Sequence, residues 1–249
     1  MTGPIVGPPF DDLSPLSHKR VTKMRAAANE LFAALESCAR EDRHPVRDVI
    51  GANMFARWQR YPPRDVVDRE TGSSWFYHAH DLSEARPWDE HGHFHCFAFA
   101  EKVSEAAKPL ASPRRGDPNT IGVVHLVALS IDRRGVPNRL FTLNRWLSNE
   151  WLFAARHVTP LVDRFRIRKD DRFQLTSRWL SAMLRLFQPQ IAWLLHERDR
   201  VLQDHRASDP DNFAEDTAIE ITATASIDVD RQLAALEQAW ARPCRSRAR

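Results

Sequence analysis

The spacing of apolar residues first predicts helices. From residue 14 they recur every three or four positions, and Ser14-Pro15 is a typical N-cap and first helical residue, so a helix is predicted over 14–42. A second helix is predicted over about 45–58 and should end at Tyr61-Pro62-Pro63, since proline interrupts a helix. Asp65 and Asp68 are then expected in a proline-bounded loop.

From residue 73 the apolar residues alternate with polar ones, which predicts strands. The predicted strands are 74–80, 92–100, 121–131 and 138–144, with a hairpin turn at 132–137 and a long loop at 101–120. Helical spacing returns over 151–168 and 179–195, where Pro189 either kinks one helix or opens a second. A late strand (218–229) and a closing helix (230–240) follow. This order predicts an α+β fold, an antiparallel meander flanked by N-terminal and C-terminal helices.

The charge distribution gives the domain limits. A single α+β domain is predicted over 14–241, between a flexible arm at 1–13 and a basic disordered tail at 242–249. The net charge of +3 depends on four arginines in that tail, and without them it would be −1. Nucleic acid is therefore not an expected partner.

The cysteines and the hydropathy indicate the compartment. The three cysteines are far apart and form no CxxC pair, which is typical of free thiols in a reducing environment. The first ten residues lack the features of a signal peptide, and no apolar run approaches the roughly 20 residues of a membrane-spanning helix. The chain is predicted to be cytoplasmic, with no membrane partner and a small-molecule substrate or ligand.

Histidines are concentrated in the middle of the chain. Five of the eleven fall within eighteen residues, and a sixth lies on the next predicted strand: His78, His80, His91, His93, His95 and His125. Strand alternation is expected to place residues 91, 93 and 95 on one face, and residues 78 and 80 together on one face.

An antiparallel hairpin across 81–90 would bring the two groups together. In the simplest register His80 lies opposite His91 and His78 opposite His93, with facing Cβ atoms about 4.5–5.5 Å apart. Neighbouring imidazoles can then share one ion, since a metal–nitrogen bond is about 2.1 Å. His91 and His95 are too far apart along their strand for both to bind one ion. A one-residue slip would turn the first pair to the other face.

The sequence therefore predicts a divalent metal site for Zn, Fe or Mn. Two or three ligands come from His78, His80, His91, His93 and His125, with Glu90 or Asp81 as a possible carboxylate. Glu90, His93 and Arg145 are the candidate catalytic residues: Glu90 as ligand or general base, and Arg145 to orient a carboxylate or phosphate.

Three functions remain open at this point. The first is a metal-dependent enzyme that works by hydrolysis through metal-bound water or by O₂ chemistry at iron. The second is a non-catalytic metal- or ligand-binding protein. In the third, the run His91-Gly92-His93-Phe94-His95 resembles the histidine-triad nucleotide hydrolases and transferases, which implies His93 as nucleophile, although Gly92 departs from the apolar position of that signature. A set of hydrogen-bonded histidines without an ion is the structural alternative.

A wider resemblance covers most of the chain beyond the arm. It lies in the stretches YHAH at 77–80, EHGHFH at 90–95, HLVA at 125–128 and LFTLNRW at 140–146. In these stretches the chain resembles an uncharacterised bacterial protein family that is grouped as a domain of unknown function. The resemblance implies a bacterial source but no particular reaction.

Overall fold

The computed structural model describes residues 5–7, 12–51, 56–80, 86–114, 122–168 and 172–242. The helices are α1 (His18–Arg40), α2 (Pro45–Ile50), α3 (Arg145–Ser148), α4 (Ala155–Val162), α5 (Gln174–Leu186), α6 (Gln188–Ser208) and α7 (Val229–Ala241). The strands are β1 (Ile5–Val6), β2 (Tyr61–Asp68), β3 (Ser73–His78), β4 (Gly92–Phe99), β5 (Val123–Ile131), β6 (Pro137–Leu143) and β7 (Ile221–Ser226).

These strands form one sheet in the order β1-β7-β6-β5-β4-β3-β2. Strands β2 to β6 make an antiparallel meander, β7 pairs antiparallel with β6, and β1 pairs parallel with β7. Helices precede and follow the meander, so the predicted α+β class is confirmed.

The helices pack against one face of the sheet. Alternation along β3 and β4 points Trp75 and Phe94 to this face, where both are fully buried. The Trp75 ring packs edge-on against Phe173, its Nε1 donates to Ser177 Oγ at 3.0 Å, and Phe94 contacts Trp179. The main hydrophobic core therefore lies between the sheet and the helices.

The opposite face of the sheet carries the histidines. A smaller apolar cluster of Ala128, Phe141 and Leu143 also lies there, and Trp88 from the β3–β4 connection and Leu147 from the short helix α3 pack onto it. In the described part of the chain, a connecting segment and a four-residue helix thus pack on this face.

A β-bulge decides the face on which His125 lies. Cys96 pairs with Val127 but Phe97 pairs with His125, so β5 contains one extra residue at this point. Without the bulge, His125 would lie opposite Ala98 and point toward the helices. The bulge instead turns its imidazole to the histidine face, as bulges near functional sites often do.

The predicted start of the first helix and the predicted end of the second helix are wrong. Helix α1 begins at His18, with Ser17 as the N-cap whose Oγ accepts from the Arg20 N–H. Asp12 binds the Ser14 N–H and Oγ instead, which holds Ser14 in a turn before the helix. Helix α2 ends at Ile50, because Gly51 takes a positive φ of 66° that ends it. Residues 52–55 of the predicted second helix lie outside the described residues.

Strand β2 contradicts the prediction that Pro62 and Pro63 end a helix and that Asp65 and Asp68 lie in a loop. They lie instead in a strand at the sheet edge, with Tyr61 paired to Tyr77. Edge strands tolerate proline because one side of their backbone forms no ladder hydrogen bonds.

The carboxyl-terminal half follows the predicted order with shorter elements. Of the helix predicted over 151–168, only Ala155–Val162 is helical. Pro189 lies in the first turn of a second helix, where its missing N–H has no cost. Within the predicted arm, Ile5–Val6 pair with β7. The positions 115–121 in the predicted loop and strand, and 243–249 in the tail, lie outside the described residues.

In the described part of the chain, every helix is too short or too polar to cross a membrane.

We expect Phe94→Ala to lower the free energy of unfolding by about 3–5 kcal/mol, because it leaves a cavity among buried aromatic rings. Urea denaturation at neutral pH measures this. Val136→Ala, at a half-exposed turn position, is the matched control and should change stability by less than about 0.5 kcal/mol. Similar losses in the two variants would contradict the core described above.

Candidate metal centre

His78, His80 and His93 converge at the end of the β3–β4 hairpin where the connecting segment joins the two strands. His78 ends β3 directly opposite His93, as the simplest register predicts, and His80 follows two residues later. Each histidine offers a ring nitrogen, and these atoms all lie within 4.8 Å of one another. The Nε2 atoms of His78 and His80 are 3.2 Å apart, close to the ~3.4 Å between two nitrogens bound tetrahedrally to one ion at about 2.1 Å.

Glu90 fixes the orientation and tautomer of His93. Its Oε1 is 3.0 Å from His93 Nδ1, and its Oε2 is 3.1 Å from the Trp88 Nε1. Burial disfavours the charged carboxylate, but the His93 imidazole and hydrogen bonds outweigh it and lower the pKa of Glu90 to about 2. An ionised carboxylate only accepts hydrogen bonds, so the His93 Nδ1 carries a proton and Nε2 is the nitrogen left for a metal ion. Metal-binding histidines commonly have such a carboxylate partner.

Arg86 sets the state of His80 in a similar way. Its Nη2 lies 3.3 Å from His80 Nε2, and a guanidinium can only donate. His80 Nε2 must then accept and is unprotonated, which is the form that binds metal.

The histidine row continues beyond the three. His93 Nε2 is 3.0 Å from His95 Nε2, and His95 Nδ1 is 3.2 Å from His125 Nε2. His95 thus contacts the same His93 nitrogen that is left for a metal ion, and an ion bound there would replace this contact. His95 and His125 extend the histidine contacts along the sheet, and the bulge in β5 makes the last contact possible.

Burial keeps most of these imidazoles neutral. Burial is the main cause, and the neighbouring His93 ring the second, of a pKa lowered to about 2 for His78 and to about 4 for His80. Burial and Arg198 lower the pKa of His125 to about 3, and the pKa of His95 falls well below its ordinary value. Neutral imidazole is the ligand form for divalent metals.

The structure does not bring His91 into this cluster. It precedes β4, so strand alternation does not govern its side chain, and its Nδ1 lies 2.6 Å from the Tyr77 hydroxyl on the helix side of the sheet. There it lines a cavity of about 430 Å³ together with His44 and residues of α2.

Arg145 also lies elsewhere. It is 1% exposed at the start of α3, where it donates to the Ser112 carbonyl at 2.8 Å and forms an ion pair with Glu215. Asn144 is the N-cap of α3 through its Oδ1. These contacts join α3 to segments on either side, and the catalytic role of Arg145 stays a prediction. Asp81, the other proposed carboxylate, lies outside the described residues.

Arg86, Trp88 and Glu150 are not among the site residues predicted from the sequence. The first two lie in the segment that is predicted only as a hairpin connection. Trp58, which packs edge-on against His80 with a ring-centroid distance of 4.5 Å, is 53% exposed and marks the solvent side of the cluster. The signal available in the sequence was a basic residue, Arg86, and an aromatic residue, Trp88, between the histidines at 78 and 80 and those at 91 and 93.

Glu150 supports the far end of the histidine row. Its carboxylate accepts from the His125 backbone N–H and from Ser148 Oγ, and it is almost wholly buried. Burial raises its pKa to about 7, although Arg198 and these hydrogen bonds oppose the effect.

Glu150 should make stability depend on pH. Because its pKa is raised on folding, its favourable contribution is complete below about pH 4.5 and is lost as the pH rises through about 7. From pH 5 to pH 8, we expect the unfolding free energy of the unchanged chain to fall by about 1–3 kcal/mol more than that of Glu150→Gln. Urea unfolding at the two pH values checks this, with the exposed Glu237→Gln as control. Equal losses in Glu150→Gln and the unchanged chain would contradict the burial argument.

The comparisons with known proteins give a family without an assigned activity. A family model described as "Domain of unknown function (DUF6969)" matches residues 25–227, which include every described element from β2 to β7. No curated protein and no solved structure matches the chain. The chain belongs to the family described as Domain of unknown function (DUF6969).

Proposed function

We propose that this protein is a metal-dependent enzyme that binds one divalent ion through His78, His80 and His93 and hydrolyses a small molecule. The observation that carries the proposal is the convergence of three imidazole nitrogens, one of them oriented by the buried Glu90 carboxylate. Bacterial source and cytoplasmic location remain predictions from the sequence.

The donor set favours zinc over iron. Three imidazoles are a ligand set of catalytic zinc sites, whereas non-haem iron centres commonly use two histidines and one carboxylate. Glu90 contacts the Nδ1 of His93, on the opposite side of the ring from the converging Nε2. When bound, a zinc ion would lower the pKa of a coordinated water and polarise a substrate oxygen.

The accessibility of the cluster favours catalysis over storage. His93 is 1% exposed, while His78 and His80 are only partly buried and His80 packs against the exposed Trp58. Three protein ligands would leave a position for water or substrate, and the partial exposure of His78 and His80 supports access to it.

The residues of the chain have distinct roles in this proposal. Glu90 keeps the proton on His93 Nδ1, and Trp88 holds the second oxygen of that carboxylate. Glu90 is thus a positioning residue rather than the ligand or general base that the sequence suggested. The Nε2 of His95 lies 3.0 Å from the His93 Nε2, so binding of the ion at that nitrogen would replace this contact.

We expect the purified, untagged chain to bind about one Zn²⁺, measured by elemental analysis and isothermal titration calorimetry. His93→Ala should weaken zinc binding at least 100-fold, and Glu90→Gln about 10- to 100-fold, because an orienting partner is lost. His91→Ala and the exposed His196→Ala are matched controls and should bind zinc as the unchanged chain does. Equal affinity in all five proteins would contradict the assigned ligands.

Hydrolysis has its own test. We expect the zinc-loaded protein to hydrolyse p-nitrophenyl acetate, to lose this activity with a chelator and to regain it with Zn²⁺, while His93→Ala stays inactive. Zinc binding without any turnover of ester or phosphoester probes would favour the non-catalytic metal-binding function. Stabilisation by nucleotides in the absence of metal, lost in His93→Ala, would instead favour the histidine-triad chemistry.

A further inference from the structure

We propose that Arg86 makes this centre selective for substrates with an oxyanion group, a carboxylate or a phosphoryl group, which binds between the guanidinium and the metal ion. This inference rests on the proposed function, since it needs the ion at His78, His80 and His93. It adds the chemical class of the substrate.

The position of Arg86 is the first argument. Its side chain is only 10% exposed, and its Nη2 lies 3.3 Å from the Nε2 of His80. The guanidinium carbon also lies 5.8 Å from the centre of the Phe141 ring, which forms part of the floor of this face. A buried cation is therefore held directly beside a metal-ligating atom.

The hydrogen bonds of Arg86 are the second argument. A guanidinium has five N–H donors, but among the described residues its buried Nε finds no hydrogen-bond partner. Glu90 Oε1 is 4.0 Å from Nε and already contacts His93 Nδ1 at 3.0 Å. An unsatisfied donor in this position costs free energy, and an oxyanion would accept its hydrogen bond.

The carboxylate that contacts Arg86 most closely can be displaced. Nη2 forms an ion pair with Glu220, which is 40% exposed although Arg86 is only 10% exposed. Water can therefore solvate the Glu220 carboxylate when it leaves Arg86, and salt screens its attraction to the guanidinium. A substrate oxyanion that also binds the ion would compete well with Glu220 for the guanidinium.

The charge balance points the same way. The ion would add two positive charges beside the guanidinium, while Glu90 and Glu220 supply two negative charges. Zinc binding thus leaves an uncompensated positive charge among these groups in a partly buried site. The ion would also take the His80 lone pair that now accepts from Arg86, which frees Nη2 for a new acceptor.

Cobalt-substituted protein tests this inference. We would load the chain with Co²⁺, confirm one ion per chain, and titrate acetate and methylphosphonate separately while recording the visible spectrum. The variants are Arg86→Gln and Arg86→Lys, and the matched control is Arg200→Gln, which removes a half-exposed positive charge on α6.

We expect Arg86→Gln to retain Co²⁺ and to weaken binding of the preferred anion at least tenfold. Arg86→Lys should weaken it less, because it keeps the charge but loses the planar pair of donors. Glu220→Gln should strengthen it, and Arg200→Gln should leave it unchanged. The anion with the lower Kd distinguishes a carboxylate from a phosphoryl substrate.

The experiment distinguishes a failure of the proposed function from a failure of the role proposed for Arg86. If the unchanged chain binds no Co²⁺, the proposed function fails and this inference fails with it. If Co²⁺ binds but neither anion alters its spectrum, or if Arg86→Gln binds both anions as tightly as the unchanged chain, only the role of Arg86 is overturned.

Discussion

The antiparallel register between β3 and β4 is the constraint on which the metal centre depends. The alternation that buries Trp75 and Phe94 against the helices also points His78 and His93 to the opposite face. A slip of one residue would turn imidazoles into the helix-side core and two aromatic rings to the opposite face. The hydrophobic core thus fixes the geometry of the centre, although none of its residues takes part in binding.

The electrostatics of the histidine face follow from its burial. Five imidazoles lie in a row or beside it, and burial keeps most of them neutral. Glu90 accepts from the His93 Nδ1, so that Nε2 is the nitrogen directed at the other histidines. The same carboxylate therefore orients the ring whose Nε2 is proposed to bind the ion.

Much of the fold and part of the site could be predicted from the sequence, for definite reasons. Alternation in β3 and β4 is regular, so the pairing of His78 with His93 followed from it. His91 was expected on the same face but precedes the strand, where alternation no longer applies. The bulge that turns His125 is one extra residue in β5, which periodicity does not show. Arg86 enters the site from a connecting segment, whose path depends on tertiary contacts.

The most direct measurement is anomalous X-ray diffraction from crystals of the zinc-loaded protein at energies just above and below the zinc edge. The account predicts one strong zinc peak about 2.1 Å from ring nitrogens of His78, His80 and His93, with Glu90 still bound to His93 Nδ1. A peak ligated by other residues, or no ordered zinc between these histidines, would contradict it.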